Sequence, residues 1–320
     1  MKKVLSSLAN WALWGAVALG LVVAICTLAA AIDERVIDFF AQFGAPTLSL
    51  CVLALALALV LRRWKPAAGL AVAAAVLLLA LRGQWFPAHA PALAGAPPAR
   101  IYFANIWNEN RDIARAARSV SDAHPDVAAM VEFSDPHRAA QSVLFPALPY
   151  RVLSPGNPIY AGQPGAVIAS RWPLQPLVSG VTWNFNILAA RVERPGAPFR
   201  LIVVHLTRPW PFRKSSNQAD QIRRLEAALA TPSDVPTVVV GDFNATTSGA
   251  RLKSLMMYES LTPAPAVIGD WPSALPGPFR IGIENAFAGP GLSILSRRIA
   301  EPTGSDHRPI VLEIAPAKRP

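Results

Sequence analysis

Three long runs without a charged residue lie in the first 82 residues, and they constrain this chain more than any other feature. The runs are Trp11 to Ile32, Phe39 to Leu61 and Pro66 to Leu81. The first two contain 22 and 23 residues and the third 16, whereas about 20 apolar residues are needed to cross the hydrocarbon core of a bilayer. We therefore predict that residues 1–82 form a membrane anchor with about three transmembrane helices.

The alternative for the first run is a cleaved signal peptide, because Lys2 and Lys3 form a basic amino-terminal region. However, the run is longer than the apolar region of about 7 to 15 residues in a signal sequence. Further apolar runs also follow it. A retained anchor is therefore the better interpretation.

Basic residues predict the orientation of the anchor, because short loops rich in Lys and Arg stay on the cytoplasmic side. They precede the first run and follow the second: Lys2, Lys3, Arg62, Arg63 and Lys65. With three spans, the chain after residue 82 would lie on the periplasmic or extracellular side of the inner (plasma) membrane. If the third run were a surface helix instead, that part of the chain would be cytoplasmic.

The rest of the chain has a different composition and is predicted to form an α/β domain. It holds 29 of the 31 prolines, which disfavours long helices. Residues 83–99 are rich in Pro and Ala without periodicity, which indicates a linker. We place the domain at residues 100–315 and a short tail at 316–320. Apolar residues at helical spacing predict one helix within 113–120 and another within 222–229.

Short β-rich runs predict the strands of this domain. They lie at residues 101–105, 126–132, 165–170, 187–192, 200–206, 236–242, 292–295 and 309–314. Polar residues stand at the ends of these runs, namely Asn105, Glu132, His205, Asp242, Asn244, Asp306 and His307. Because strand ends and the loops beyond them assemble sites in α/β proteins, these side chains are candidates for one site.

Each of these residues alone has an ordinary explanation, since Asp-x-Asn after a strand is commonly a turn. Together, carboxylates, histidines and amides are the groups that metal-assisted phosphoester hydrolysis requires. Carboxylate oxygens such as those of Glu132 suit Mg²⁺. Other chemistries lack their motifs, because the sequence contains no G-x-S-x-G, G-x-x-x-x-G-K-[ST], H-E-x-x-H or C-x-x-C. Cys26 and Cys51 both lie in the apolar runs.

The order of these segments resembles the endonuclease/exonuclease/phosphatase superfamily, which includes exonuclease III, pancreatic-type DNases, neutral sphingomyelinases and inositol polyphosphate 5-phosphatases. The matching segments are FANIW, PDVAAMVE, AVIASRWPL, VVHLT, VVVGDFNAT and GSDHRPIV. The resemblance covers about residues 100–315 and is greatest to membrane-anchored bacterial members. It implies a four-layer α/β/β/α sandwich with two mostly antiparallel sheets, preceded here by transmembrane helices.

The resemblance also implies a metal site and a hydrolytic site. Glu132 would be the principal ligand of Mg²⁺, with Mn²⁺ as a substitute, and Asn105 would lie near the metal and the phosphate. Asp242 would orient or deprotonate the attacking water, and Asn244 would support it.

The resemblance also implies residues that bind the scissile phosphate or support those that do. His205 and His307 would contact it, and Asp306 would help the metal site or hold its neighbour. Where family members usually carry Asp followed by His or Tyr, this chain has Glu284 followed by Asn285. Glu284 would orient a histidine from one methylene further out, or it would be only a surface carboxylate.

The charge of the domain suits a polyanionic substrate. Residues 83–320 carry a net charge of +6, and 20 of their 23 basic residues are Arg, which binds phosphate with two hydrogen bonds. The segment RPWPFRK includes Arg208 and Trp210, and we predict that both contact substrate, as in loops that stack on bases or lie at a lipid interface. An ordinary Pro-rich surface loop is the alternative.

Three functions remain open from the sequence. The first is a membrane-anchored, Mg²⁺-dependent phosphodiesterase that acts on nucleic acid. The second uses the same chemistry on a phospholipid headgroup, which anchoring in the bilayer would favour by raising the local concentration. The third is a non-catalytic membrane protein that binds a partner in the same cleft.

Overall fold

The computed structural model describes residues 2–30, 32, 35–154, 164–182, 185–208, 215–258 and 260–318. Its helices are α1 (Lys2–Leu28), α2 (Arg35–Ala41), α3 (Gly44–Val60), α4 (Trp64–Trp85), α5 (Ile113–Ala123), α6 (Asp135–Ala139), α7 (Gln141–Leu144), α8 (Ser215–Ala230) and α9 (Ala250–Tyr258), with a short 3₁₀ helix at Gly277–Phe279. Its strands are β1 (Ala99–Asn105), β2 (Val127–Phe133), β3 (Tyr150–Leu153), β4 (Gly165–Ser170), β5 (Leu174–Thr182), β6 (Phe185–Val192), β7 (Phe199–His205), β8 (Thr237–Asp242), β9 (Thr262–Pro263), β10 (Glu284–Ala288), β11 (Leu292–Ile299) and β12 (Ile310–Pro316).

The amino-terminal helices pack as a bundle with an apolar interior. Two segments, Ser7–Leu28 and Trp64–Trp85, are long and apolar enough to cross a membrane. The third run of the sequence is thus part of a 22-residue helix, because the helix continues through the flanking residues on both sides. The second run is divided: α2 and α3 meet at a bend of 56° and would provide a third span if they act as one.

Two six-stranded sheets form the centre of the second part of the chain. Their orders are β11-β12-β1-β2-β4-β3 and β5-β6-β7-β8-β10-β9. The largest apolar core cluster lies between them and is formed by inward-facing residues of both sheets, such as Phe103 and Leu201. Helix α5 covers the outer face of the first sheet, and α8 and α9 cover the outer face of the second. The predicted four-layer sandwich is therefore confirmed.

Each of the eight predicted strands overlaps a strand of the structure, and the predicted helices correspond to α5 and α8. The sequence did not predict β3, β5, β9 and β10. Strand β5 contains Pro176 and Gly180, which disfavour strands in general. It lies at the edge of its sheet, where proline is tolerated because the unpaired side needs no donor. Strand β10 begins with two polar residues, Glu284 and Asn285, and these interrupt its apolar pattern.

The segment predicted as a linker makes several hydrogen bonds to the domain. Residues 83–85 belong to α4 and residue 99 begins β1. Between them, the amide of Leu93 donates to the carbonyl of Pro316 over 2.8 Å, and Ala92 pairs with Ala317. The segment therefore runs along the end of β12. There it contacts Pro316 and Ala317, which belong to the predicted tail.

Candidate active site

The strand pairing brings the predicted polar residues to one edge of the two sheets. In the second sheet β7 is parallel to β8, with His205 beside Asp242. Strand β10 is antiparallel to β8, so Glu284 lies beside Asp242 on the other side. In the first sheet β1 and β2 are parallel, and both end at the same edge with Asn105 and Glu132. Residues far apart in sequence thus converge because parallel strands end together.

Glu132 is positioned by an irregularity of β2. The pairing of β2 with β4 changes register between Val131 and Phe133, and Glu132 itself has a φ of +56°. A bulge of this kind redirects a side chain, and positive φ is unfavourable for a residue with a Cβ atom. Trp107 and Asn244, which also lie at this edge, have φ of +60° and +47°. Such conformations cluster at functional sites.

The amide of Asn105 connects the two sheets. Its Nδ2 donates to Glu132 Oε1 and to Asp242 Oδ2, both over 2.9 Å. Its backbone amide donates to Glu284 Oε1 over 3.0 Å. The other oxygen of Glu132 accepts from the backbone amide of Asn108 over 3.0 Å. Three carboxylates are thus held around one residue, and of these three only Glu132, with 20% of its side chain exposed, is open to solvent.

Two histidines lie against these carboxylates. His205 Nε2 is 3.6 Å from Asp242 Oδ2 and 3.8 Å from Glu132 Oε1. His307 Nε2 is 3.8 Å from the same oxygen of Asp242, and its Nδ1 is 3.4 Å from Glu284 Oε1. His205 is partly exposed, whereas His307 is buried. The site therefore has a buried imidazole between two carboxylates and a second imidazole at its opening.

Behind the site lies a buried ion pair that sequence reasoning missed. Asp270 accepts from the backbone amides of Ile283 and Glu284, each over 3.0 Å. Its second oxygen accepts from Arg297 Nη2 over 2.9 Å, and both side chains are at most 2% exposed. Arg297 also donates to the carbonyl of Glu284 over 3.1 Å. The pair fixes the backbone at the start of β10, and no local pattern in the sequence indicated it.

Electrostatics of the cluster favour a protonated His307. Burial acts to lower the pKa of His307, but the carboxylates of Asp242, Glu284 and Asp306 together raise it to about 10. Burial raises the pKa of Glu284 to about 8, against the opposing effect of His307. Burial likewise raises the pKa of Asp270 to about 6, against Arg297. At neutral pH His307 is therefore a cation inside an acidic site.

Asn244 and Asp306 occupy different surroundings. The amide of Asn244 donates to Asp242 Oδ1 over 2.9 Å, and its side chain donates to the carbonyl of Leu206 over 2.8 Å. Asn244 therefore holds the Asp242 carboxylate through its backbone. Asp306 is exposed and accepts from the indole nitrogen of Trp271 over 3.0 Å. Its carboxylate contacts the rim of the site rather than the Glu132 and Asn105 side chains.

The predicted substrate contacts lie on that rim or outside the described residues. The guanidinium of Arg208 lies over the ring of Trp271, 5.4 Å from its centre. Trp271 in turn lies 6.5 Å from the ring of His307, so Arg208 is near the site. Trp210 belongs to residues 209–214, which lie outside the described residues, and its predicted role stays a prediction.

No group of three or more His, Cys, Asp or Glu side chains with metal-binding geometry occurs within the described part of the chain. Glu132 and Asp242 are two carboxylates that lie close together, because both accept a hydrogen bond from Asn105 Nδ2.

Comparison with known proteins agrees with this architecture. Three structures that the chain resembles are an endonuclease/exonuclease/phosphatase from Beutenbergia cavernae (19% identity, 70% of this chain and 72% of that chain, TM-score 0.57), D. rerio TDP2 in complex with a single-strand DNA product (16%, 68% and 98%, 0.54) and sphingomyelinase C from Streptomyces griseocarneus (15%, 68% and 99%, 0.50). At these identities the similarity shows the fold. No curated protein matches the chain in sequence.

The sequence profile of the Endonuclease/Exonuclease/phosphatase family matches residues 103–307. That range is more than half of the chain, and it contains all the polar residues that the two sheets bring together. The chain therefore belongs to the Endonuclease/Exonuclease/phosphatase family, whose members are hydrolases that act on phosphoester bonds.

Proposed function

We propose that this protein is a membrane-anchored phosphoesterase. It hydrolyses its substrate at the ends of β1, β2 and β8, where Asn105, Glu132 and Asp242 lie. The reaction uses a bound Mg²⁺, for which Mn²⁺ can substitute. The observation that supports this most strongly is the environment of Asp242 Oδ2. This oxygen has Asn105 Nδ2 at 2.9 Å, His205 Nε2 at 3.6 Å and His307 Nε2 at 3.8 Å. It is therefore a buried carboxylate oxygen with one hydrogen bond from Asn105 and two imidazole nitrogens within 4 Å.

The residues present fit a divalent cation. Mg²⁺ keeps several waters and commonly binds through one or two carboxylates plus phosphate oxygens, so a cluster of three protein ligands is not required. Glu132 supplies a carboxylate that is partly open to solvent, and Asn105 holds it beside Asp242. A bound cation would polarise the phosphoryl group and neutralise charge that develops on its oxygens.

Residues of the chain activate the attacking water and bind the phosphate. Asp242, fixed by the amide of Asn244, orients the attacking water and accepts its proton. His307, which stays protonated at neutral pH, donates hydrogen bonds to the phosphoryl oxygens, and Glu284 orients it from the Nδ1 side. His205, partly exposed at the opening, contacts the phosphate from the other side. The function of Asp306 is then to hold Trp271 at the rim.

The arrangement of the helices supports the predicted orientation in the membrane. Hydrogen bonds join the catalytic domain to the end of α1 at Thr27, to the bend between α2 and α3 at Gln42, and to the end of α4 at Gln84. These are the ends opposite to the basic residues Arg62 and Arg63. Because basic loops stay in the cytoplasm, we propose that α1, the α2 and α3 pair, and α4 all span and that the catalytic domain lies outside.

Nucleic acid is our first candidate substrate, because the domain is basic and rich in Arg, which suits a polyanion. One observation favours a phospholipid headgroup as the second candidate. The helix ends contact the loop that follows Asn244, so the catalytic edge lies close to where the anchor would leave the bilayer. TDP2 and sphingomyelinase C, both of the same fold, represent the two possibilities.

A three-part assay on the full-length protein tests the function. Hydrolysis of bis(p-nitrophenyl) phosphate with Mg²⁺ tests the chemistry, and its absence in a folded sample would favour a non-catalytic binding protein. Nicking of plasmid DNA and release of headgroups from liposomes then separate the two substrate classes. Steep loss of activity with added salt would support nucleic acid, because phosphate contacts release counterions.

A further inference from the structure

Two polar side chains of the membrane segment are buried at the bend between α2 and α3. Asp38 is 7% exposed and Gln42 is 5% exposed, and Gln42 Nε2 donates to Asp38 Oδ1 over 3.2 Å. Burying a carboxylate or an amide is costly unless its hydrogen bonds are made. Both side chains therefore need hydrogen-bond partners beyond the one that they make with each other.

The catalytic domain supplies two backbone amides to these side chains, and Lys253 of α9 interacts with the charge of Asp38. Gln42 Oε1 accepts from the amide of Thr246 over 2.6 Å, and Asp38 Oδ1 accepts from the amide of Ala250 over 2.9 Å. Ala250 is the first residue of α9, and the amides of a first helical turn have no partner within the helix. Asp38 thus acts as the amino-terminal cap of a helix that lies 212 residues away in sequence.

The loop between them is shaped to receive these side chains. Residues 245–250 are all buried. A side chain at residue 249 would require Asp38 and Gln42 to move, because a Cβ atom there would lie 2.8 Å from Asp38 Oδ1 and even closer to Gln42 Nε2. We name residues 245–250 the clamp loop. Its fit to the bend is specific in shape as well as in hydrogen bonding.

The clamp loop is connected directly to the catalytic carboxylates. It begins after Asn244, whose amide donates to Asp242 Oδ1 over 2.9 Å. On its other side, Asn285 Nδ2 donates to the carbonyl of Ala245 over 2.8 Å, and Asn285 is the neighbour of Glu284. A displacement of the clamp loop would therefore move the segments that position Asp242 and Glu284.

From these contacts we propose that Asp38 and Gln42 are positioning residues of the catalytic site, so that the membrane segment holds the clamp loop, and through it Asp242, in the active arrangement. The anchor would then be a structural part of the enzyme rather than a tether. The effect on turnover rests on the proposed function, whereas the contact between the bend and the clamp loop does not.

The test uses the full-length protein in lipid nanodiscs. Gln42→Met removes the acceptor for Thr246 at similar length, Asp38→Ala removes the cap of α9, and Asp38→Asn keeps an oxygen acceptor in place. Gly249→Ala disturbs the same contact from the side of the catalytic domain. Ser49→Ala is the matched control, because Ser49 Oγ donates to the carbonyl of Pro278 over 2.8 Å at another point of the same junction.

Two readouts are measured on each variant: hydrogen exchange of peptides that cover residues 244–251, and kcat and KM with bis(p-nitrophenyl) phosphate. For Gln42→Met, Asp38→Ala and Gly249→Ala we expect exchange of this segment to rise while β8 stays protected. We also expect kcat to fall by roughly tenfold or more with KM within about twofold, because small misplacements of catalytic groups reduce turnover strongly. Ser49→Ala should resemble wild type in both readouts. Asp38→Asn keeps the cap but removes the negative charge that interacts with Lys253, so it should lose less than Asp38→Ala.

Each other outcome is decisive. Unchanged exchange in the three disruptive variants would overturn the contact itself. Faster exchange with unchanged kcat, or an equal loss in Asp38→Asn and Asp38→Ala, would overturn the positioning role. If wild type lacks phosphoesterase activity altogether, the proposed function fails, and exchange alone then decides whether the bend holds the clamp loop.

Discussion

Replacing Glu284 with Gln should move the basic limb of the pH profile of kcat/KM to lower pH. The substitution removes a negative charge 3.4 Å from His307 Nδ1 while keeping an oxygen that can accept from the amide of Asn105. An anion favours the cationic form of a neighbouring imidazole, so its loss lowers the pKa of His307. Activity that requires protonated His307 is lost as the pH rises through that pKa.

The size of the shift follows from the geometry. At an effective dielectric constant of about 20, two unit charges 3.4 Å apart attract by about 5 kcal/mol, which corresponds to roughly three and a half pKa units. Asp242 remains in the variant at 3.8 Å from Nε2, and the new amide oxygen retains part of the attraction. We therefore expect a fall of about two to three units from the wild-type pKa of about 10.

The assay is the pH dependence of kcat/KM with bis(p-nitrophenyl) phosphate in the full-length protein. Glu284→Asp keeps the charge and should keep the basic limb within about one unit of wild type. Glu313→Gln is the control, because Glu313 pairs with Arg100 at the opposite end of β1 and should not affect the site. A basic limb in Glu284→Gln within about half a unit of wild type would refute the role of Glu284 in orienting His307.

Three further predictions concern the metal, its ligand and the support behind the site. Glu132→Ala should abolish turnover with the fold intact, and activity within about threefold of wild type, less than roughly 1 kcal/mol in the barrier, would remove Glu132 from the site. Treatment with EDTA should abolish activity, and Mg²⁺ or Mn²⁺ should restore it; activity that persists in EDTA would contradict a role for the cation. Arg297→Leu should destabilise the catalytic domain by about 3–5 kcal/mol, because it leaves the buried carboxylate of Asp270 without its partner, and thermal unfolding that matches wild type would contradict this. A double substitution of both residues by Leu should recover part of that loss.

The sequence by itself determined the long apolar helices of residues 1–82, most of the strands and the polar residues at their ends. Alternation of apolar and polar residues, and runs of β-branched residues, identify strands because they reflect burial on one or both faces of a sheet. Long uncharged runs have the length that a helix needs to cross a bilayer. These signals are local, so they could be read without knowing how the chain folds. The segments GDFN and SDHRP also carry family information that a short stretch of sequence preserves.

Only the tertiary structure decided which residues meet. The ion pair of Asp270 with Arg297 joins residues 27 apart in sequence, and neither lies in a segment whose pattern indicates a site. The same holds for Asp38 and Gln42, whose partners lie more than 200 residues away. A buried polar group is stable where its hydrogen bonds are made, and its partner can come from any part of the chain. Which groups become hydrogen-bond partners depends on how whole helices and strands pack together. A local pattern in the sequence does not contain that information.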